Sequence, residues 1–311
     1  MTKLSGIIPP VVTPLKEIDQ LDVDAVDRLV EHLLRGGVDG LFVLGTTGEG
    51  PSLTYQVRYE MVERTCESAS GRVPVLVGIT DSSLTESIQL AEHAARCGAK
   101  AVVAAAPFYF PVSQEQCVTW FRQLADASPL PVLLYNMPGC VEVTLELETV
   151  KSLAAHDNII GVKDSAGDLP AFRALCDTFG DTEFLVFMGP EELIPEAVAA
   201  GADGGVCGGG NLLPEVYVQL YQAAVAGDDK EVSRLNGIVR QMYQQVYHDQ
   251  QGCMNIIAAL KLAMSRCGLC SSLPCPPLLP PNDEHTQQID ECLHKILSAA
   301  GSSLIARQAT V

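Results

Sequence analysis

Short apolar runs alternate with amphipathic stretches along most of the chain. Residues 6–12, 40–44, 73–79, 101–106, 131–135, 159–163, 184–188 and 204–207 are near-continuous apolar runs, the pattern of strands buried on both faces. Each is followed by apolar residues at helical spacing, over 23–35, 55–68, 84–97, 114–127, 145–155, 169–179, 191–200 and 214–226. In the first of these Val23, Val26, Leu29, Val30, Leu33 and Leu34 share a face, and Gly36-Gly37 stops the run. Eight strand–helix units in about 225 residues predict a (β/α)8 barrel, a TIM barrel, over residues 1–227. A doubly wound open sheet is the weaker alternative, because no GxGxxG fingerprint follows the first strand. Further helical stretches at 230–248, 254–267 and 284–299 predict a C-terminal helical extension over 228–300. A connector rich in proline (Pro274, Pro276, Pro277, Pro280, Pro281) separates the last two. Residues 301–311 read as a flexible tail.

Composition narrows the function classes. Of 311 residues, 47% are hydrophobic, enough for a large core, and the formal net charge is −18. So acidic a surface repels the phosphates of nucleic acids and anionic membranes. It does not exclude a small anionic substrate, which a few local amides and hydroxyls can bind. The first residues carry no signal-peptide apolar core, and no run of about 18 apolar residues suggests a membrane span. The 11 cysteines are odd in number and scattered, which predicts reduced thiols and a cytoplasmic location. Cys267, Cys270 and Cys275 cluster locally, but no second CxxC supplies a zinc-ligand spacing.

In a barrel of this kind the active site lies at the C-terminal ends of the strands. The residues found there are Gly45-Thr46-Thr47-Gly48-Glu49 after strand 2, Pro107-Phe108-Tyr109 after strand 4 and Tyr135-Asn136-Met137-Pro138-Gly139 after strand 5. Lys163 ends strand 6, Gly189 follows strand 7, and Gly208-Gly209-Gly210-Asn211 follows strand 8. Only 20 residues are Lys or Arg, so a lysine closing the apolar run 158–164 stands out. Taken alone, that heptad reads more readily as a strand end whose ammonium snorkels to solvent. On the rim it becomes a partly desolvated amine, a nucleophile toward ketones. Tyr135, at matching height on the neighbouring strand, is placed to move protons, and the threonines offer hydroxyls and close amides to a carboxylate. The glycine-rich segment after strand 8 is open to two readings, a flexible loop or a phosphate cradle. No Ser or Cys is paired with a His, so hydrolytic triads find no support.

The segments GTTGE (45–49), YNMPG (135–139) and GVKDSAGD (161–168) resemble the dihydrodipicolinate synthase / N-acetylneuraminate lyase family of class I, Schiff-base aldolases, in order and at the right spacing over residues 4–300. The resemblance implies that Lys163 forms an imine with pyruvate or another 2-keto acid, and that Tyr135 transfers protons above it. It implies carboxylate binding at Thr46, Thr47 and Gly48, with Gly189 and Val206 lining the keto-acid pocket through their backbone. It implies that Thr46 links Tyr135 to Tyr109, which reaches toward a neighbouring subunit's site in a homotetramer built as a dimer of dimers. It implies no metal and no organic cofactor.

Two departures bear on the second substrate. Dihydrodipicolinate synthases usually carry an arginine just after the YNxPG-like segment, where this chain has Cys140, Val141 and Glu142. They also tend to read Lys-Glu where this chain reads Lys163-Asp164. GTTGEGPSL and KDSAGD resemble more the branch of 2-keto-3-deoxy sugar acid and 4-hydroxy-2-oxoglutarate aldolases and related dehydratases. Cys140 is then expected at the second substrate, which should be neutral or hydroxylated. The alternatives are dihydrodipicolinate synthesis from pyruvate and aspartate semialdehyde, a 2-keto-3-deoxy acid dehydratase, and a non-catalytic keto-acid-binding protein.

Overall fold

The computed structural model describes residues 4–249, 251–252, 254–302 and 304. The order along the chain is β1 (Gly6–Ile7), β2 (Leu15–Glu17), β3 (Gln20–Leu21), α1 (Val23–Arg35), β4 (Leu41–Val43), α2 (Tyr55–Ala69), β5 (Val75–Gly78) and α3 (Leu84–Arg96). It continues with β6 (Ala101–Ala105), α4 (Gln114–Ala127), β7 (Val132–Asn136), α5 (Pro138–Val141), α6 (Leu147–Ala154), β8 (Ile159–Asp164) and α7 (Leu169–Phe179). Then follow β9 (Leu185–Met188), α8 (Ile194–Ala199), β10 (Gly204–Gly205), α9 (Pro214–Ala226), α10 (Asp229–Gln241), α11 (Ile256–Arg266) and α12 (Asp283–Ala300).

Eight strands form one parallel sheet in the order β1-β10-β9-β8-β7-β6-β5-β4. The sheet curls until its edges meet, where Pro10 bridges Phe42 in parallel and the amides of Val11 and Phe42 donate to the carbonyls of Phe42 and Pro9. The (β/α)8 barrel and its C-terminal helices are therefore as the sequence pattern predicts. The first strand is shorter than the apolar run 6–12, because Pro9 and Pro10 bring no N–H to a ladder. Helix starts follow local chemistry: Asp22, Thr54, Ser83 and Asp168 each accept a first-turn backbone N–H, and Ser113 with Gln116 forms a reciprocal capping box.

Helix α5 is absent from the sequence reading, and three further elements differ from it. The hairpin β2–β3 went unseen, its polar turn lacking any strand period. The expected helix over 191–200 begins as a 3-10 turn, Glu191–Leu193, before α8, with Pro195 in the first turn of α8. The stretch 230–248 is α10 continued by a π-helical segment, Met242–Tyr247, which buries Met242, Val246 and Tyr247. Of the expected tail, 303 and 305–311 lie outside the described residues, while Leu304 is buried. No helix among the described residues is long and apolar enough to cross a membrane.

The extension is tied to the barrel by a buried ion pair. Lys261 of α11 meets Glu49, just past β4, and both side chains are fully inaccessible to solvent. Lys261 Nζ also donates to the Leu273 carbonyl at 2.9 Å, and Glu49 Oε1 accepts the Cys275 amide at 2.5 Å. The Cys275 thiol donates to the Ser52 carbonyl at 3.2 Å, and Cys267 and Cys270 are buried in the same core. Removing one partner of such a pair leaves an uncompensated buried charge. Lys261→Met should lower the unfolding free energy by about 3–5 kcal/mol in equilibrium denaturation, and Glu49→Leu added to it should restore part of that loss. A Lys261→Met variant as stable as the parent would show that the pair does not hold the extension.

Candidate active site

Parallel register sets the heights of the central groups. Tyr135 on β7 pairs with Lys163 on β8, and Asn136 with Asp164. Lys163 pairs on its other side with Phe187 of β9. The strand run holding the lysine is anchored at its start by Asn158, whose amide group donates to the carbonyls of Ala125, Ser128 and Leu130. At its end Asn136 Nδ2 donates to Asp164 Oδ2 at 2.6 Å, the Ala166 amide donates to Asp164 Oδ1 at 3.1 Å, and Asn136 Oδ1 accepts the Leu145 amide. Asp164 thus faces structural partners, and burial pushes its carboxyl above the ordinary range.

Lys163 is only 4% exposed. Its Nζ lies 4.1 Å from the centre of the Tyr135 ring and 5.2 Å from that of Phe42, and among the described residues it meets no carboxylate in an ion pair. The Tyr135 hydroxyl lies 3.1 Å from Thr46 Oγ1, a hydrogen bond in which either hydroxyl can be the donor. The loop that delivers Thr46 and Thr47 is bracketed by Leu44 at φ 59° and Glu49 at φ 57°, left-handed conformations rare for such residues. Its Gly48 carbonyl accepts the Thr13 hydroxyl at 2.6 Å.

The remaining predicted residues distribute around this centre. The Gly189 amide donates to the Asp164 carbonyl at 2.7 Å, and a Cβ there would overlap the Ser165 hydroxyl, so the position requires glycine. Val206 is buried, its amide donating to the Met188 carbonyl at 2.8 Å. Cys140 of α5 is exposed at the pocket wall; burial of its sulfur pushes the thiol up, against the Thr46 hydroxyl and the Lys163 charge. Tyr109 stands apart, 85% exposed at φ 86°, with its ring against Phe110, and among the described residues it forms no bond to Thr46.

A cavity of about 440 Å³ opens above Tyr135 and Thr46. Its lining includes polar Thr46, Thr80, Ser52 and Glu49 and apolar Phe108, Met137, Val141, Ile257 and Leu278. No Lys or Arg lines it among the described residues. Arg58, close behind, is held by Asp81 at 3.0 Å and by the carbonyls of Leu53 and Pro51.

Sequence reasoning missed Glu191. This fully buried carboxylate accepts the Gly209 amide at 2.8 Å and the hydroxyls of Tyr217 at 2.6 Å and Tyr247 at 2.9 Å. It thereby pins the glycine segment after β10, where Gly208 faces the Thr47 hydroxyl. The donors come from α9 and the π-helical segment, so no local spacing announces the site.

A barrel whose rim sets a buried amine beneath a tyrosine–threonine pair belongs with the barrel lyases of the aldolase class. The chain is a member of the dihydrodipicolinate synthetase family, whose sequence profile matches residues 3–296. It is 33% identical over 304 residues to the Escherichia coli K12 protein named "Probable 2-dehydro-3-deoxy-D-pentonate aldolase YjhH", covering 97% of this chain and 99% of that one. It is 31% identical over 291 residues to 4-hydroxy-tetrahydrodipicolinate synthase of Bartonella bacilliformis, covering 93% and 97%. Among solved structures, dihydrodipicolinate synthase from Bacteroides thetaiotaomicron superposes with a TM-score of 0.90 at 43% identity, covering 94% and 98%. YagE of Escherichia coli K12, a prophage protein of the same family in complex with pyruvate, superposes at 0.87 with 32% identity, covering 94% and 98%.

Burial pushes the Glu191 carboxyl up from 4.5, and its three donors oppose that shift. The folded chain therefore holds this proton more tightly than the unfolded chain. The associated stability is complete below the unfolded value and is lost as pH rises through the folded one. Glu191→Gln removes this titration, so the melting temperature of the parent relative to the variant should fall as pH rises above about 4.5. A difference independent of pH would contradict the assignment.

Proposed function

We propose that this chain is a Schiff-base lyase that makes or breaks a C–C bond between pyruvate and a neutral, hydroxylated aldehyde, with 2-keto-3-deoxy sugar acids or 4-hydroxy-2-oxo acids as the joined species. The observation that carries the reading is the Lys163 amine buried against Tyr135, itself bonded to Thr46. In this reading, written for cleavage, Lys163 Nζ adds to the C2 carbonyl of the joined 2-keto acid. Tyr135, relaying through Thr46, supplies the proton with which the carbinolamine oxygen leaves as water. Hydroxyls and amides of the Thr46–Thr47 loop receive the carboxylate, with Gly48, Gly189 and Val206 shaping the floor. The protonated imine then accepts the electron pair of the breaking C3–C4 bond, giving the enamine, and Tyr135 takes the proton of the C4 hydroxyl, which becomes the carbonyl of the released aldehyde.

The choice of aldehyde is supported by the pocket. Among the described residues no Lys or Arg lines the walls to pair with a second carboxylate, and Cys140 stands where an arginine is usual in dihydrodipicolinate synthases. Hydroxyls on the substrate match Thr80 and Ser52, and its carbon skeleton matches Met137, Val141 and Ile257. We further propose that Tyr109 completes a neighbouring copy's site in a homotetramer. A tyrosine 85% exposed in a left-handed conformation, beside Phe110 at 74%, suits a contact between copies.

Borohydride reduction in the presence of pyruvate should add one pyruvate-derived 1-carboxyethyl group to the parent chain and none to Lys163→Ala, read by intact mass. An adduct surviving in Lys163→Ala overturns the proposal. Tyr135→Phe should lower kcat about 10²- to 10⁴-fold, the usual worth of a positioned proton-transfer group. In a substrate panel, aspartate semialdehyde should be used about 10- to 100-fold less efficiently than neutral hydroxyaldehydes, the value of one missing charge-assisted contact. The reverse order would return the chain to dihydrodipicolinate synthesis.

A further inference from the structure

Three potential metal donors from two neighbouring helices converge on the outside of the barrel. His93 and Cys97 lie one turn apart at the end of α3, and Glu63 reaches them from α2. His93 Nε2 is 3.4 Å from Glu63 Oε1 and 3.5 Å from Cys97 Sγ, and all three donor atoms lie within 4.8 Å of one another. A single ring nitrogen offers one hydrogen or one lone pair, so it cannot fully serve a carboxylate and a thiol at once. A cation between them serves all three. Zinc bonds of about 2.0–2.1 Å to nitrogen, 2.0–2.2 Å to oxygen and 2.3 Å to sulfur require tetrahedral edges of about 3.4 Å for N···O and 3.6 Å for N···S. The two separations seen here are close to those edges.

The surroundings suit a cation. The C-terminal end of a helix carries partial negative charge, and Cys97 caps that end of α3. Glu63 and Glu67 add acidic charge around the thiol, against Arg96 alone. The Tyr59 ring meets the imidazole edge-on at 4.6 Å between centres and restricts its rotation. The imidazole is largely covered while Glu63 is half exposed, which leaves one side open for entry and for a water ligand. Burial pushes the Cys97 thiol up, so metal binding releases its proton.

We propose that Glu63, His93 and Cys97 form a zinc site, completed by water, that staples α2 to α3. Cys97 leads through a short turn into β6, placing the site at the end of the barrel opposite the rim. Its role there is stability and not chemistry.

The test uses the full chain without a histidine tag, stripped by a chelator and desalted. Titration with Co(II) should give a thiolate-to-cobalt charge-transfer band that saturates at one equivalent and is abolished by equimolar Zn(II). Zn(II) should raise the melting temperature of the parent chain and leave borohydride-trapped pyruvate unchanged. Cys97→Ser should lose the band, while His93→Gln and the half-exposed Glu63→Gln should bind at least tenfold more weakly. Absence of the band in the parent, or its persistence at full strength in Cys97→Ser, overturns the proposal. Unchanged affinity in Glu63→Gln, which leaves the core untouched, overturns it independently of any folding defect.

Discussion

The rim of this barrel depends on a charge pair that no solvent reaches. Glu49 and Lys261 are each expensive to bury, and each is retained because the other compensates it. Their meeting fixes more than stability. Glu49 sits in a left-handed conformation at the end of the Gly45–Gly48 turn, and its carboxylate is held by a lysine and by the Cys275 amide. With Leu44 in the same unusual region at the other end, the turn has little freedom, and Thr46 is presented at 3.1 Å from the Tyr135 hydroxyl. The chain of cause runs from α11, through a side chain at the barrel mouth, to the oxygen proposed to move protons. The extension is part of the site's scaffold.

The lysine's placement rests on a separate constraint. In a strand, a shift of one residue turns every side chain to the opposite face, so Lys163 enters the barrel only while β8 keeps its register. Asn158 holds one end of that strand by three carbonyls, and the Asn136–Asp164 bond holds the other. An aspartate after the lysine fits this clamp, since its short side chain reaches both Asn136 and the Ala166 amide. The difference from the Lys-Glu usual in dihydrodipicolinate synthases is therefore absorbed locally, in the support of the strand and away from the pocket.

Much of this was readable from the chain itself. Buried parallel strands announce themselves as apolar runs, and helices as a 3.6-residue period opened by Asp, Thr or Ser caps, because both signals are local. Given the barrel, strand ends name the rim, and that alone groups Lys163, Tyr135 and the threonines. What stayed hidden depends on distant partners. Lys261 lies in an otherwise apolar helix, and nothing near it in sequence shows that Glu49 awaits it. Glu191 looks like an ordinary acidic helix start, and only the fold brings Tyr217 and Tyr247 to it. Tyr109 shows the same limit from the other side: in a single chain it is 85% exposed, with its ring against Phe110, and nothing in its own stretch names a further partner.

The acidic surface and the absence of Lys or Arg from the pocket lining among the described residues are consistent with one strategy for handling a keto acid. A carboxylate approaching a chain of net charge −18 gains nothing from long-range attraction. Its binding must come from short-range donors in a covered site, where hydroxyls and amides are worth more than in water. The proposed covalent bond to Lys163 removes much of the need for ionic affinity at that end. Elsewhere the walls are Met137 and Val141 from the barrel with Ile257 and Leu278 from the extension, together with Cys140. Substrate choice on this reading is made at the seam between barrel and extension, the same seam that Glu49 and Lys261 hold closed.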